Sequence, residues 1–380
     1  MSLPKVTILF SDGNLLKDIA AIDGIAGIVG TVQTVGLIGV PKVVYNLADA
    51  VAQGFTEADE PEFYRHLREF YAELAGNQEL HIMGVEDTMP MNTMLDKDAA
   101  DGAVKLLLAA NGKIRLLAVF RKPDVGYDAG ADFYDDDVEA SLTKSITFVA
   151  DQNTKYNYLR VLIEGRVNDE DSVTILEPKE SESKVAGVVL GGSLNDGSAS
   201  IGTALGRAVK FGAEIKIGKV ANGPLQLTDA YIGTKKISEL PSLATLHGTG
   251  VISFMNHPTK AGIYFGIDRM ANTGDYRLLA HGRLVDKAAV ITLATYVDEL
   301  ESEVDVVDGA ISQLDLAHLE GRVTQQLEAG MGDQVSTKGI EVYINPDQGD
   351  IISTNKLNVK IRIRPKGYTS FIDVDLGLTA

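Results

Sequence analysis

Lys356-Leu357-Asn358-Val359-Lys360-Ile361-Arg362-Ile363-Arg364-Pro365 decides how this chain is read. On an extended segment Leu357, Val359, Ile361 and Ile363 share one face, and Asn358, Lys360, Arg362 and Arg364 share the other. A period of two marks a half-buried antiparallel strand. A second alternating stretch, Phe371-Ile372-Asp373-Val374-Asp375-Leu376-Gly377-Leu378, lies at the C-terminus, where chains commonly fray. A strand in that position needs a sheet to join, and an exposed sheet edge accepts one from a neighbouring molecule. The N-terminus poses the same problem. Val6-Thr7-Ile8-Leu9-Phe10, with Val6, Ile8 and Phe10 on one face, is an isolated strand candidate closed by the turn Ser11-Asp12-Gly13-Asn14.

Working inward, Gly282-Arg283-Leu284-Val285-Asp286-Lys287-Ala288 opens a long helix, and a second helix is predicted from Ala310 to Met331. Ahead of these, strands and helices alternate. Strands are predicted at Ile25–Val32, Leu80–Val85, Ile114–Phe120, Tyr158–Glu164, Val185–Val189, Val251–Met255 and Gly262–Ile267. Helices are predicted at Asn46–Ala50, Glu60–Gly76, Lys97–Ala110, Asp136–Ala150, after the Gly191–Ser198 turn to near Phe211, and at Leu240–Leu246. Strands separated by helices of this length imply crossover units, hence a mixed α/β fold with a largely parallel or mixed sheet and helices packed on it.

With 380 residues the chain has room for two domains or one elaborated domain. The net charge of −18 argues against general nucleic-acid binding, because a phosphate backbone is held by basic surface. No apolar run reaches the ~20 residues of a membrane span, and the N-terminus has no secretory pattern. The absence of cysteine excludes disulfides, thiolate metal sites and thiol nucleophiles.

Signals for chemistry are weak. His66, His81, His247, His257, His281 and His318 include no zinc-protease pair, and no Gly-x-Ser-x-Gly elbow is present. Gly24, Gly27, Gly30, Gly36 and Gly39 fit neither a dinucleotide fingerprint nor a P-loop, and suit strands that pass closely. Asp132-Phe133-Tyr134-Asp135-Asp136-Asp137 precedes a helix, where carboxylates favour the positive end of the dipole over a metal. The turn Gly191–Ser198, between a strand and a helix, is the best mimic of an anion-binding loop, though it has no suitably placed lysine and carries an acid. Catalytic, cofactor and metal residues are therefore expected to be none. The alternative is a soluble α/β enzyme with a phosphate or sugar pocket at Gly191–Ser198.

Several phrases in order resemble contractile phage tail sheath proteins, most of all the compact sheath-like family of Bacteroidetes phages and contractile injection systems. They are Gly27-Ile28-Val29-Gly30, the Phe70-Tyr71 helix and Lys219-Val220-Ala221-Asn222-Gly223-Pro224. The helix before Gly250-Val251-Ile252, Gly282–Ala288, the Ala310–Met331 helix and Lys356–Pro365 with its terminal strand complete the series. The likeness covers Val185 to the end well and is diffuse before it. It implies a tail-sheath-like fold and a structural subunit that forms hexameric rings stacked helically around an inner tail tube, contracting by subunit repacking without nucleotide. N- and C-terminal arms would add strands to neighbouring subunits. Expected partners are further copies of the chain, the tube protein, and baseplate and tail terminator proteins. The expected setting is a virion tail or injection apparatus assembled in the bacterial cytoplasm. The implied layout is an N-terminal arm at 1–20, an outer α/β region at 21–230, an inner assembly domain at 231–365 and a C-terminal arm at 366–380. On this resemblance Val6, Ile8, Phe10, Phe371, Val374 and Leu376 belong to the arms, and His318, Arg322 and Glu328 are candidates to touch the tube. Lys360, Arg362 and Arg364 suit either an inter-subunit contact or the solvated side of an edge strand.

Overall fold

The computed structural model describes residues 23–376 other than 75, 125, 308–309 and 347–350; the Val6–Phe10 strand, its turn and the last residues of the C-terminal tail lie outside the described residues. The chain divides into two units, Met1–Leu300 and Glu301–Ala380.

In chain order the strands of the first unit are β1 Ala26–Val32, β2 Lys42–Val44, β3 Leu80–Glu86, β4 Leu116–Phe120, β5 Arg160–Gly165 and β6 Ala186–Leu190. They continue with β7 Tyr231–Ile232, β8 Lys235–Lys236, β9 Val251–His257 and β10 Lys260–Phe265. Its helices are α1 Leu47–Ala52, α2 Pro61–Glu73, α3 Met91–Met94, α4 Ala103–Ala109, α5 Asp136–Thr154, α6 Ile201–Lys210, α7 Leu243–Gly248 and α8 Leu279–Val297. Eight strands form one mixed sheet in the order β10-β9-β6-β5-β4-β1-β3-β2. The six inner strands run parallel, and β10 and β2 close the two ends antiparallel. The expected mixed α/β fold with helices flanking a mixed sheet is the observed one.

Local chemistry explains the elements. The strands β1, β4, β5 and β6 are buried along their whole length, as the mostly apolar strands of a covered parallel sheet should be; β5 alone of the four carries charged residues, Arg160 and Glu164. Asn46 caps α1, its side-chain oxygen accepting from the Asp49 N–H at 2.8 Å. The acidic stretch does start a helix: Asp135 caps α5, and Asp137 accepts the Met91 and Asn92 N–H groups at 2.5 and 3.0 Å, so it also fixes the start of α3. Helix α2 buries Phe63, Leu67 and Phe70 and packs along α6. A Cβ at Gly202 would lie 2.1 Å from the His66 carbonyl, and one at Gly206 2.6 Å from that of Phe70. Two glycines one turn apart thus let the two helix backbones touch.

Some predicted boundaries move. The Lys97–Ala110 helix begins only at Ala103, because Gly102 ends the preceding turn in extended conformation. The Leu240–Leu246 helix slides to Leu243–Gly248.

The second unit contains β11 Val306–Val307, β12 Ala310–Ile311, α9 Gln313–Met331, β13 Val335–Ile344, α10 Ile351–Thr354 and β14 Val359–Pro365. The predicted Ala310–Met331 helix starts three residues late, at Gln313, because Ala310 and Ile311 pair with β11 and the Ser312 hydroxyl caps the helix on Asp315 N–H. Leu316, Leu319, Val323, Leu327 and Met331 form the buried stripe of α9, which packs on β13. Strands β13 and β14 pair antiparallel as a two-stranded sheet.

Candidate assembly interface

Strand edges decide where this chain can accept another. Both edges of the large sheet are engaged by the chain itself. On β2 the Val43 carbonyl accepts the Gln53 side-chain amide at 2.9 Å, and on β10 the Ile263 carbonyl accepts the Leu225 N–H at 2.8 Å. Contacts of this kind blunt an edge against intermolecular pairing. The β13–β14 sheet differs. Helix α9 packs on β13, and its Glu320 accepts the Ile344 N–H at 2.6 Å at the end of that strand. Strand β14 pairs only with β13 among the described residues, leaving its outer edge without a ladder partner.

The basic strand alternates as its sequence predicts. Val359, Ile361 and Ile363 are half-buried, whereas Lys360, Arg362 and Arg364 are exposed. In register Arg362 opposes Glu341 and Lys360 opposes Tyr343. Arg364 lies 3.1 Å from Glu341 in the open, so that ion pair contributes at most about 1 kcal/mol. Beyond β14 the described part of the tail, as far as Leu376, is not a strand. Phe371, Ile372, Val374 and Leu376 are 79, 73, 75 and 92% exposed, which leaves apolar side chains in water. On α9, His318 and Glu328 are exposed and Arg322 is half-buried, on the face turned from the buried stripe.

The sites that a doubly wound sheet usually offers to an anion are filled by the chain's own carboxylates. At the switch point, where β1 lies between β3 and β4, a cavity of about 180 Å³ is bounded by Thr31, Gln33, Glu60, Asp87 and Lys122. Glu60 there accepts the Gln33 N–H at 2.9 Å and the Thr34 N–H at 2.7 Å. At the Gly191–Ser198 turn, Ala199 N–H donates to Glu164 at 3.1 Å and Ser198 N–H to Asp196 at 3.0 Å. Ser200 stands at the helix start, but its hydroxyl accepts from Ser193 N–H and donates to Glu69 instead of capping the helix. A phosphate at this turn would meet Glu69, Glu164 and Asp196.

Beneath the turn lies a group that the sequence reading missed. Glu62, His66 and Glu164 bring ligand atoms within 4.8 Å of one another. Arginines already serve these carboxylates: Arg65 donates to Glu62 at 2.5 Å, and Arg166 is 3.6 Å from Glu62 and 3.4 Å from Glu164. Burial, with Arg65 and then Arg166 beside it, holds His66 well below the usual imidazole range. Burial pushes Glu164 up to about 7, against the pull of Arg166. A cation would have to displace two guanidiniums, so the donor set fits a charge-balanced structural network rather than a metal centre. Its signal was available: Glu62, Arg65, His66 and Glu69 follow i, i+3, i+4, i+7 on a helix otherwise read for its apolar stripe.

The family profile described as DUF2586, N-terminal domain, matches residues 3–269, and that of the DUF2586 C-terminal domain matches residues 275–380. No curated protein matches the sequence. Among solved structures, the helical sheath of the anti-feeding prophage in its contracted state is similar over 100% of both chains, with a TM-score of 0.64 at 16% identity. The contracted sheath complex of the PVC extracellular contractile injection system gives 0.61 at 13% identity, covering 100% of this chain and 98% of that one. A sheath tail protein from Listeria innocua gives 0.53 at 10% identity over 91% and 95%. At such identities the likeness is one of fold, and the fold of this chain is that of contractile sheath proteins.

Proposed function

Because the chain belongs to the DUF2586 family and has the sheath-protein fold, we propose that it is a structural subunit of a contractile sheath. The observation that carries this function is the pairing of an open edge on β14 with an exposed, strand-patterned tail at 371–376. A chain that offers both an acceptor and a donor strand polymerises by β-augmentation.

Magnitudes fit a lattice better than an isolated pair. Burying Ile372, Val374 and Leu376 contributes about 5–9 kcal/mol, while ordering the backbone of a short strand costs about 1–2 kcal/mol per residue. One arm alone is therefore marginal, and several contacts per subunit make assembly cooperative. Hexameric rings stacked around a tube supply them, with the N-terminal segment carrying Val6, Ile8 and Phe10 as the second arm. In this scheme residues 1–20 and 366–380 are arms, 21–230 form the outer region and 231–365 the inner assembly domain. Shortening follows from subunits repacking while the strand links persist, without nucleotide. His318, Arg322 and Glu328 on the outward face of α9 are the proposed tube contacts. Tube, baseplate and terminator proteins are the partners, in a tail or injection apparatus assembled in the bacterial cytoplasm.

Negative-stain microscopy with sedimentation tests this. The concentrated protein should form rings or tubes with six-fold end views, and a chain ending at Ser370 should stay folded and dispersed. Normal tubes from the truncated chain would remove the C-terminal arm from the mechanism; a dispersed full chain with inner tube present would remove the sheath assignment.

A further inference from the structure

We infer that residues 218–226 are a latched plug on the β10 edge of the large sheet, and that release of the plug frees this edge to pair with β10 of a second copy of the chain. The plug acts whether or not the chain builds a sheath.

An end strand offers its unpaired backbone groups to any other strand. β10 is the last strand on its side of the large sheet, with β9 as its ladder partner. The chain that follows α6 runs along its outer side. Leu225 N–H donates to the Ile263 carbonyl at 2.8 Å. A Cβ added at Gly218 would stand 2.0 Å from the Gly266 carbonyl oxygen, and one at Gly262 would stand 2.5 Å from Pro224 Cβ. The segment therefore touches the strand from Gly262 to just past its end. Pro224 has no N–H and offers no donor at the edge. Lys219-Val220-Ala221-Asn222-Gly223-Pro224, one of the phrases on which the family resemblance rests, makes up most of this plug.

The plug has little hold of its own. Of its residues only Leu225 is buried, while Lys219, Ala221, Pro224 and Gln226 are exposed. Two helices supply the hold. Glu73, the last residue of α2, accepts the Gln226 N–H at 2.6 Å, and its other oxygen lies 3.2 Å from Arg207 of α6. Arg207 in turn donates to the Gly223 carbonyl. One ion pair thus grips the backbone on both sides of Pro224 and Leu225. Glu73 and Arg207 are 1 and 2% exposed, so water does not stand in for either bond when one partner is lost.

The edge beneath suits a second copy of itself. Two β10 strands related by a two-fold axis meet antiparallel and present the same groups to each other. A bulge between Lys260 and Ile263 spoils the first half of the strand for pairing. That leaves Ile263, Tyr264 and Phe265, an apolar run which the segment from Gly218 to Leu225 covers.

The test uses the full-length chain in dilute solution, with peptide-resolved hydrogen exchange and a labelled peptide of residues 260–267 read by fluorescence anisotropy. Arg207→Leu should speed exchange across 218–226 and 263–265 about tenfold and leave β4 and β5 unchanged. The peptide should bind this variant and ignore the wild type, and a photo-crosslinker in place of its Tyr264 should mark β10. Leu225→Asp leaves Glu73 and Arg207 in position and should act in the same way, and it decides the matter where Arg207→Leu unfolds. Faster exchange in 218–226 with 263–265 still protected overturns the plug. Equal binding of the peptide by the wild type overturns the latch. A freed edge that refuses the peptide, or a crosslink away from β10, overturns the pairing.

Discussion

Glu164 and His66 sit side by side in the interior and titrate in opposite senses. Burial raises the Glu164 carboxyl from 4.5 to about 7, while His66 stays neutral below the ordinary imidazole range of 6.5. Folded Glu164 therefore keeps a proton that the unfolded chain has released, and it adds stability as pH falls from 7 toward 4.5. Folded His66 refuses a proton that the unfolded chain takes up, and it removes stability as pH falls below 6.5. The two slopes oppose each other between pH 4.5 and 6.5. The surrounding groups are Glu62, Arg65 and Glu69 of α2, Arg166 after β5, and Asp196 of the turn. Glu164→Gln should thus lose stability more steeply on acidification than the wild type, by at most about one proton, or about 1.4 kcal/mol per pH unit. Denaturant midpoints at several pH values between 5 and 7 check this; parallel curves would mean that Glu164 is ionised in the folded chain. Only the α2 half of this group was legible in the sequence, as the spacing of Glu62, Arg65, His66 and Glu69; Glu164 and Arg166 stand far along the chain, and only the fold brings them in.

Among the elements, α8 shows how a phrase in the sequence acquires a reason. Asp286 holds Arg160 of β5 through two bonds of 2.6 and 2.7 Å, and Arg160 also donates to the Gly282 carbonyl at 3.2 Å. A Cβ at Gly282 would lie 2.7 Å from Arg160 Nε. Glycine inside a helix costs about 1 kcal/mol against alanine, but crowding a pinned guanidinium costs about 1–3 kcal/mol. The second effect is the larger, so Gly282→Ala should destabilise by up to about 2 kcal/mol. Combined with Arg160→Ala it should cost clearly less than the sum of the two changes, because the crowding partner is gone. Additive unfolding energies would show that Gly282 and Arg160 are not in contact. The helix itself was readable from Gly282–Ala288, although it begins at Leu279; the requirement for glycine came only with the arginine from β5.

Across the whole molecule, Leu300 and Glu301 separate the two units, and exposed, irregular chain at Glu301 and Glu303 follows. A glutamate-specific protease should cut the native protein first at Glu301 or Glu303, since cleavage needs backbone that opens readily. Mass spectrometry of the first fragments reads the site. A first cut at Glu239 would instead favour an assembly domain that begins near residue 231.

Taken alone, the order of residues determined the class of fold, since buried strands in runs alternating with amphipathic helices admit few arrangements other than a covered, largely parallel sheet. It also determined the alternation of β14, because a period of two fixes both faces of a strand before any partner is known. Tertiary structure decided which edges remain open. Val43 is closed by Gln53, and Ile263 by Leu225 from far along the chain, whereas α9 packs on β13 and the outer edge of β14 has no ladder partner among the described residues. Those contacts join residues that no local pattern connects, and they turn a basic strand into a candidate acceptor edge.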